Sequence, residues 1–368
     1  TVILYAVIYL GEAVPISLSA GSFGLPVGAQ WILILFLYAG IASLLPVWLL
    51  LQPRDYINGI QLFVGLGLLY GAVLIANPTI VAPAINPDLP ASAPPIFPLL
   101  FVTIACGAIS GFHGLVGSGT TSKQLNKETD ARFVGYLGSS GEGALALVAI
   151  IAATAGFASL ADWQVMYSEF GNGGMAAFVQ GGARVVASGV GISEQFAATL
   201  LTVMAVLFAG TTMDAGVRLQ RYIVQEWGTI YDIPALQNGY VATGMAVTAC
   251  LLLAFGAGGA SGEGGMLIWP LFGTTNQLLA GLTLMVISVM LVKLGRPVRY
   301  TLIPMVFITV AALGAALVQL MTLYREGGIL YPLLWIDVAI VLLAILVMLE
   351  ASSAFLRERR AAAAGAAA

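Results

Sequence analysis

The chain has 368 residues, of which 60% are hydrophobic and only 8% charged, and its mean hydropathy is +0.98. Soluble domains carry about 25% charged residues, so the composition excludes a soluble globular fold and describes an all-α, polytopic transmembrane helix bundle. A net charge of −3 with no basic run excludes nucleic acid as a partner.

A membrane span needs about 20 predominantly apolar residues. Ten stretches qualify, at 1–19, 31–51, 59–76, 97–121, 141–158, 195–217, 239–257, 265–292, 301–322 and 331–352. The chain opens on Thr1 in an apolar run, without an initiator methionine or the basic n-region of a signal peptide. It therefore reads as a fragment of a longer protein, with a transmembrane domain over 1–360. The Ala-rich segment 361–368 is too short to span and is expected to be disordered.

Cytoplasmic loops collect Lys and Arg. With Thr1 inside, twelve of the 14 basic residues fall on one side, and only Arg184 and Arg325 on the other. Both ends of the chain are then cytoplasmic. Of the outer connections, 77–95 is Pro-rich and extended. The 159–194 loop is Gly-rich, and within it 175–190 is apolar enough to form a helix lying on the bundle or dipping into it. Its length suits either a lid over the outer entrance or a plain connection. Inside, 124–136 reads as a short amphipathic interfacial helix.

The fourth span contains Ser110–Lys123, with four glycines, five hydroxyl residues and the only histidine of the protein. Such a segment is expected to break as a helix, and at membrane depth its freed backbone groups need protein partners or a polar cavity. Ser110, Gly111, Phe112, His113, Ser118, Gly119, Thr120 and Thr121 are the candidate substrate-binding residues. His113 reads either as a buried structural residue or as a binding or proton-coupling group. Gly-Thr-Thr recurs at 210–212 and 273–275, and the last copy reads as helix packing. Thr211, Thr212 and Asp214 form a candidate coupling-ion site. The alternative for Asp214 is an i,i+4 pair with Arg218.

Glu12 lies mid-span before Pro15, placed either to face a cavity or to pair with an absent segment. Glu142 at a helix start reads as structural, Glu263 lies in a flexible Gly-rich outer turn able to act as a hinge, and Asp337 lies near the outer end of the last span, reaching water. Trp31, Trp48, Trp163, Trp269 and Trp335 suit the aromatic belts. Cys106 and Cys250 lie in apolar runs without metal-ligand spacing and read as buried, inert thiols. No metal site, Walker motif or catalytic constellation emerges, so an enzyme is not expected.

Four regions carry a family resemblance: Leu51–Tyr56, Ile104–Leu115 continuing to Ser118–Lys123, Thr212–Tyr222 and Trp269–Leu278. By these the chain resembles the carbon starvation protein A family of bacterial inner-membrane transporters, departing from it slightly, as at Met213, where Leu is more usual. The resemblance implies a secondary active transporter importing peptides during carbon starvation, or pyruvate in some members. It also implies a LeuT-like five-plus-five inverted repeat with discontinuous helices. The expected partners are the solute, the lipid bilayer and the further N-terminal spans that family members carry, so that the transmembrane domain over 1–360 is expected to lack its first spans. The expected coupling ion is Na+ or H+, with no cofactor, and a passive channel is the remaining competitor.

Overall fold

The computed structural model describes residues 2–14, 16–19, 24–90, 93–169 and 173–367. Among these the secondary structure is helical, with no strand. In chain order the helices are α1 (Val2–Ala13), α2 (Val27–Leu44), α3 (Leu51–Ala76), α4 (Phe101–Ala105), α5 (Gly111–Gly119), α6 (Asp130–Ala155), α7 (Leu160–Met166) and α8 (Met175–Val190). They continue with α9 (Glu194–Ile230), α10 (Pro234–Gln237), α11 (Gly239–Gly258), α12 (Gly264–Leu267), α13 (Trp269–Lys293), α14 (Arg299–Gly327) and α15 (Pro332–Ala367).

Among the described residues, 8 helices are long and apolar enough to cross a membrane. They match eight of the ten expected stretches. The other two are shorter pieces: α1 has 12 residues, and 97–121 is divided into π, α and 3-10 segments. The protein is a multi-pass membrane protein.

The chain divides into two compact units. Unit 1 comprises Thr1–Ala93, Asn126–Gly256 and Ala260–Gly262. Within it α8 packs against α3, α6 and α9. Its small side chains make this approach feasible, because small residues let helix backbones come close in a membrane. A Cβ on Gly181 would collide with the Ala152 carbonyl of α6. Leu66, Leu69, Val148, Val186, Leu201 and Met204 complete this core. The helix expected at 175–190 thus forms and is an element of the unit's interior.

Unit 2 comprises Pro94–Leu125, Ala257–Gly259 and Glu263–Ala368. Here α13, α14 and α15 pack on one another, and α4 and α5 pack on α13. Ala311, Ala312, Ala315 and Ala316 are buried along α14. Leu333, Leu334, Asp337, Val341 and Ala344 form the buried stripe of α15, at the three-and-four spacing of one helix face.

Several expectations are corrected. The 124–136 segment is no separate helix. A 3-10 turn closes at Gln124, and α6 starts at Asp130, an acid in the first turn where the helix dipole favours it. Glu142 therefore lies inside α6. The Ala-rich segment continues α15 to Ala367, consistent with alanine's leading helix propensity. Trp163 is buried, stacked on Tyr167 and donating its indole N–H to the Ala153 carbonyl. Asp337 is fully buried. The side chain of Glu12 lies outside the described residues.

Candidate functional site

The expected break in the fourth span is present in unit 2. Helix α4 ends at Ala105, residues 106–109 turn, and Ser110 is extended at φ −121 and ψ 125 before α5 begins. Ser110 is the N-cap of α5, its Oγ accepting the His113 N–H at 3.4 Å. The amide of Phe112 donates to Asn276 Oδ1 at 2.7 Å. Asn276 Nδ2 donates to Ser110 Oγ at 3.0 Å and to Cys106 Sγ at 2.8 Å. Next to it, Gln277 Nε2 donates to the Ile109 carbonyl at 2.8 Å. Two amide side chains of α13 thus supply the partners that a broken helix must find in lipid.

Glycine sets how close these helices come. A Cβ on Gly111 would lie 2.5 Å from Leu279 Cβ and 2.6 Å from the Ala280 nitrogen. No larger residue fits there without moving α13.

The structure sorts the candidate substrate residues. Ser110, Gly111 and Phe112 are engaged in the break itself. His113 is exposed, with its ring beside Phe112 at 6.3 Å between centroids. Ser118 is exposed and donates to the Leu115 carbonyl at 3.2 Å. Gly119 ends α5 and Thr121 opens the 3-10 turn. Thr120 is buried, and its hydroxyl has no hydrogen-bond partner among the described residues. A helix N-terminus favours anions, but two of the first amides of α5 already have side-chain acceptors. His113 is left as the exposed polar group of α5 nearest the break.

Asn276 and Gln277 were not singled out from the sequence, although they directly follow the third Gly-Thr-Thr. That triplet does pack. Thr274 donates within its own helix and lies 3.1 Å from Gln319 Oε1, while Thr275 donates to the Leu271 carbonyl at 2.7 Å.

The second candidate group lies in unit 1, on α9. Asp214 is fully buried, with Arg54 Nη2 of α3 at 3.0 Å and Arg218 Nη2 at 3.6 Å. Of the two readings for Asp214, the ion pair forms. Arg218, also buried, donates to the Ala42 and Leu45 carbonyls at 2.7 and 2.9 Å. It thereby serves the carbonyl groups that a helix end leaves open. Thr211 accepts from Asn58 Nδ2 and donates to the Leu207 carbonyl at 3.1 Å. Thr212 is exposed. The roles of Arg54 and Asn58 were missed. Their signal was a cluster of polar residues heading an apolar span, in Leu51–Tyr56 and just beyond.

Among the described residues, no group of three or more His, Cys, Asp or Glu is placed to hold a metal.

A family model described as carbon starvation protein CstA matches residues 1–168 and 158–315. The peptide transporter CstA of Helicobacter pylori (strain ATCC 700392 / 26695) is 34% identical over 309 residues, covering 70% of this chain and 45% of that protein. The peptide transporter CstA of Escherichia coli (strain K12) is 31% identical over 348 residues, covering 78% and 49%. The pyruvate/proton symporter BtsT of the same strain is 30% identical over 356 residues, covering 76% and 49%. The chain spans about half the length of these curated relatives. No solved structure matches it.

Proposed function

Because the chain belongs to the family of carbon starvation protein CstA, we propose that it acts in a secondary active transporter importing peptides across the bacterial inner membrane by alternating access. In this reading both ends of the chain are cytoplasmic, and the helices follow a LeuT-like inverted repeat with α4–α5 as a discontinuous helix. The observation that carries it is the break at 106–110, held by Asn276 and Gln277. Transporters build solute sites from such broken helices. The proposed substrate segment is Ser110–Thr121, with His113 and Thr120 as its principal polar groups.

Pyruvate is the second reading, favoured by the name of the relative BtsT. For coupling, a proton is preferred to sodium. The carboxylate of the sodium site proposed at Thr211, Thr212 and Asp214 already faces two guanidinium groups.

The test is uptake of labelled peptide and of pyruvate by the full-length protein in proteoliposomes, with and without imposed ion gradients. His113→Ala and Thr120→Val are each expected to abolish uptake while insertion stays normal. Full activity in both removes the site assignment, and non-saturating, gradient-independent flux means a channel. Replacing Thr211 and Thr212 by Val is expected to leave ion dependence unchanged. A changed sodium requirement would restore the sodium site.

A further inference from the structure

We propose that Asp337 of α15 is a proton-binding site whose loading and release couple transport to a proton gradient; the coupling role rests on the transport reading above. The carboxyl group is fully buried, and neither Oδ1 nor Oδ2 has a hydrogen-bond partner among the described residues. It lies on the buried stripe of α15, between Leu334 and Val341. It is the sixth residue of its helix, beyond the first turn where the dipole would favour a negative charge.

The flanking clusters show what surrounds this level of unit 2. Leu333 and Leu334 pack with Leu323 of α14 and Ile268, whereas Ile340 and Ala344 pack with Ala312 of α14 and Leu278 of α13. In the interval between them, α13 and α14 contribute the neutral pair Thr274 and Gln319, 3.1 Å apart.

No cation reaches the carboxyl group from either neighbouring helix. On α13 the charged residue is Lys293, at the C-terminal end and paired with Glu358. On α14, Arg299 and Tyr300 stand at one end and Tyr324, Arg325 and Glu326 at the other, all exposed. The next charge along α15 is Glu350, 13 residues on, or about 20 Å at helical rise.

An ionised carboxylate buried without a partner is strongly disfavoured, and such a group takes up a proton instead. The balance is simple: the carboxylate gains one proton from the outer aqueous phase to become the acid, then returns it to the cytoplasmic phase. A metal cation at this position would need further oxygen ligands.

The experiment uses the full-length protein and has two readouts. Infrared difference spectra of the substrate-free protein are expected to show the carbonyl stretch of a protonated carboxyl group, absent in Asp337→Asn. In proteoliposomes, Asp337→Asn is expected to lose pH-gradient-driven accumulation of peptide or pyruvate but to keep substrate exchange, which moves no net proton. Asp337→Glu should restore accumulation. A band unchanged in Asp337→Asn overturns the assignment, as does undiminished gradient-driven accumulation in that variant. Loss of both accumulation and exchange, without rescue by Glu, makes the residue structural and also overturns it. Wild-type protein that moves no substrate while showing the band overturns the transport reading instead, and leaves the proton site supported.

Discussion

The two units place polar groups in their interiors by different means. In unit 1, Asp214 and Arg218 are buried together, and Arg54 completes a charged network across α3 and α9 that also ties down the end of α2. In unit 2, the buried polar side chains around the break are neutral amides and hydroxyls, and the buried acid Asp337 has no counter-charge among the described residues. A charged network resists losing any single member, because each loss strands a charge. A neutral network can be altered at lower cost, and an acid buried without a counter-charge can change protonation without breaking a pair. Unit 1 therefore holds its buried acid Asp214 between guanidinium groups, whereas unit 2 buries Asp337 without one.

Removing Arg218 should give the largest effect. Arg218→Met takes one guanidinium from Asp214 and two donors from the Ala42 and Leu45 carbonyls. Breaking a buried pair by deleting one partner costs about 3–5 kcal/mol, and thermal unfolding of the detergent-solubilised protein should report a loss of that order. Arg54→Met should cost less, because the Arg54 side chain retains 14% exposure against 2% for Arg218. Equal losses would show that burial does not grade this network.

The neutral counterpart is Asn276→Leu in unit 2. It leaves the Phe112 amide, Ser110 Oγ and Cys106 Sγ without their partner. The Phe112 amide bears most of this loss, because Ser110 Oγ keeps the His113 N–H and a thiol sulfur is a weak acceptor. Leaving one buried polar group unsatisfied costs about 1–3 kcal/mol, so the variant should be destabilised less than Arg218→Met. Hydrogen exchange at the Phe112 amide should quicken with it. A loss as large as that of Arg218→Met would erase the contrast between the units.

How far the sequence reads this molecule follows from the range of the forces involved. Apolar runs are local, so eight of the ten stretches emerge as long helices, and α8 takes the bounds 175–190. The break is also local: Gly107 and Gly111 weaken the helix, and Ser110 caps its second half. What holds the break is not local. Asn276 lies 166 residues from Ser110, and nothing in Gly-Thr-Thr-Asn-Gln says which backbone those amides will meet. Asp337 was misplaced for the same reason. Its distance from the end of the span suggested water, but the packing of α13 and α14 decides which face of α15 is covered. The first turns of α6 were mistaken for an interfacial helix because polar residues there mask a continuous helical backbone.

The smallest effect belongs to the exposed version of the charged network, also in unit 1. Asp162 of α7 accepts the Ala158 N–H at 3.2 Å and pairs with Arg184 of α8, which also reaches Glu194 at 3.3 Å. The Ala158 amide first, and then Arg184, hold the Asp162 carboxyl below its usual range. The folded-state value is depressed, so the contribution is present above the ordinary Asp range, near pH 4, and is lost as the pH falls through the lowered value. Protection factors at 158–167, corrected for intrinsic exchange, should therefore fall on acidification in that window. They should also fall in about 1 M salt, where the screening length shrinks to about 3 Å, whereas protection around Asp214 should hold. Asp162→Asn should reproduce the acid effect at neutral pH. If salt and acid loosened both regions alike, burial would not be what separates the network around Asp214 from the one around Asp162.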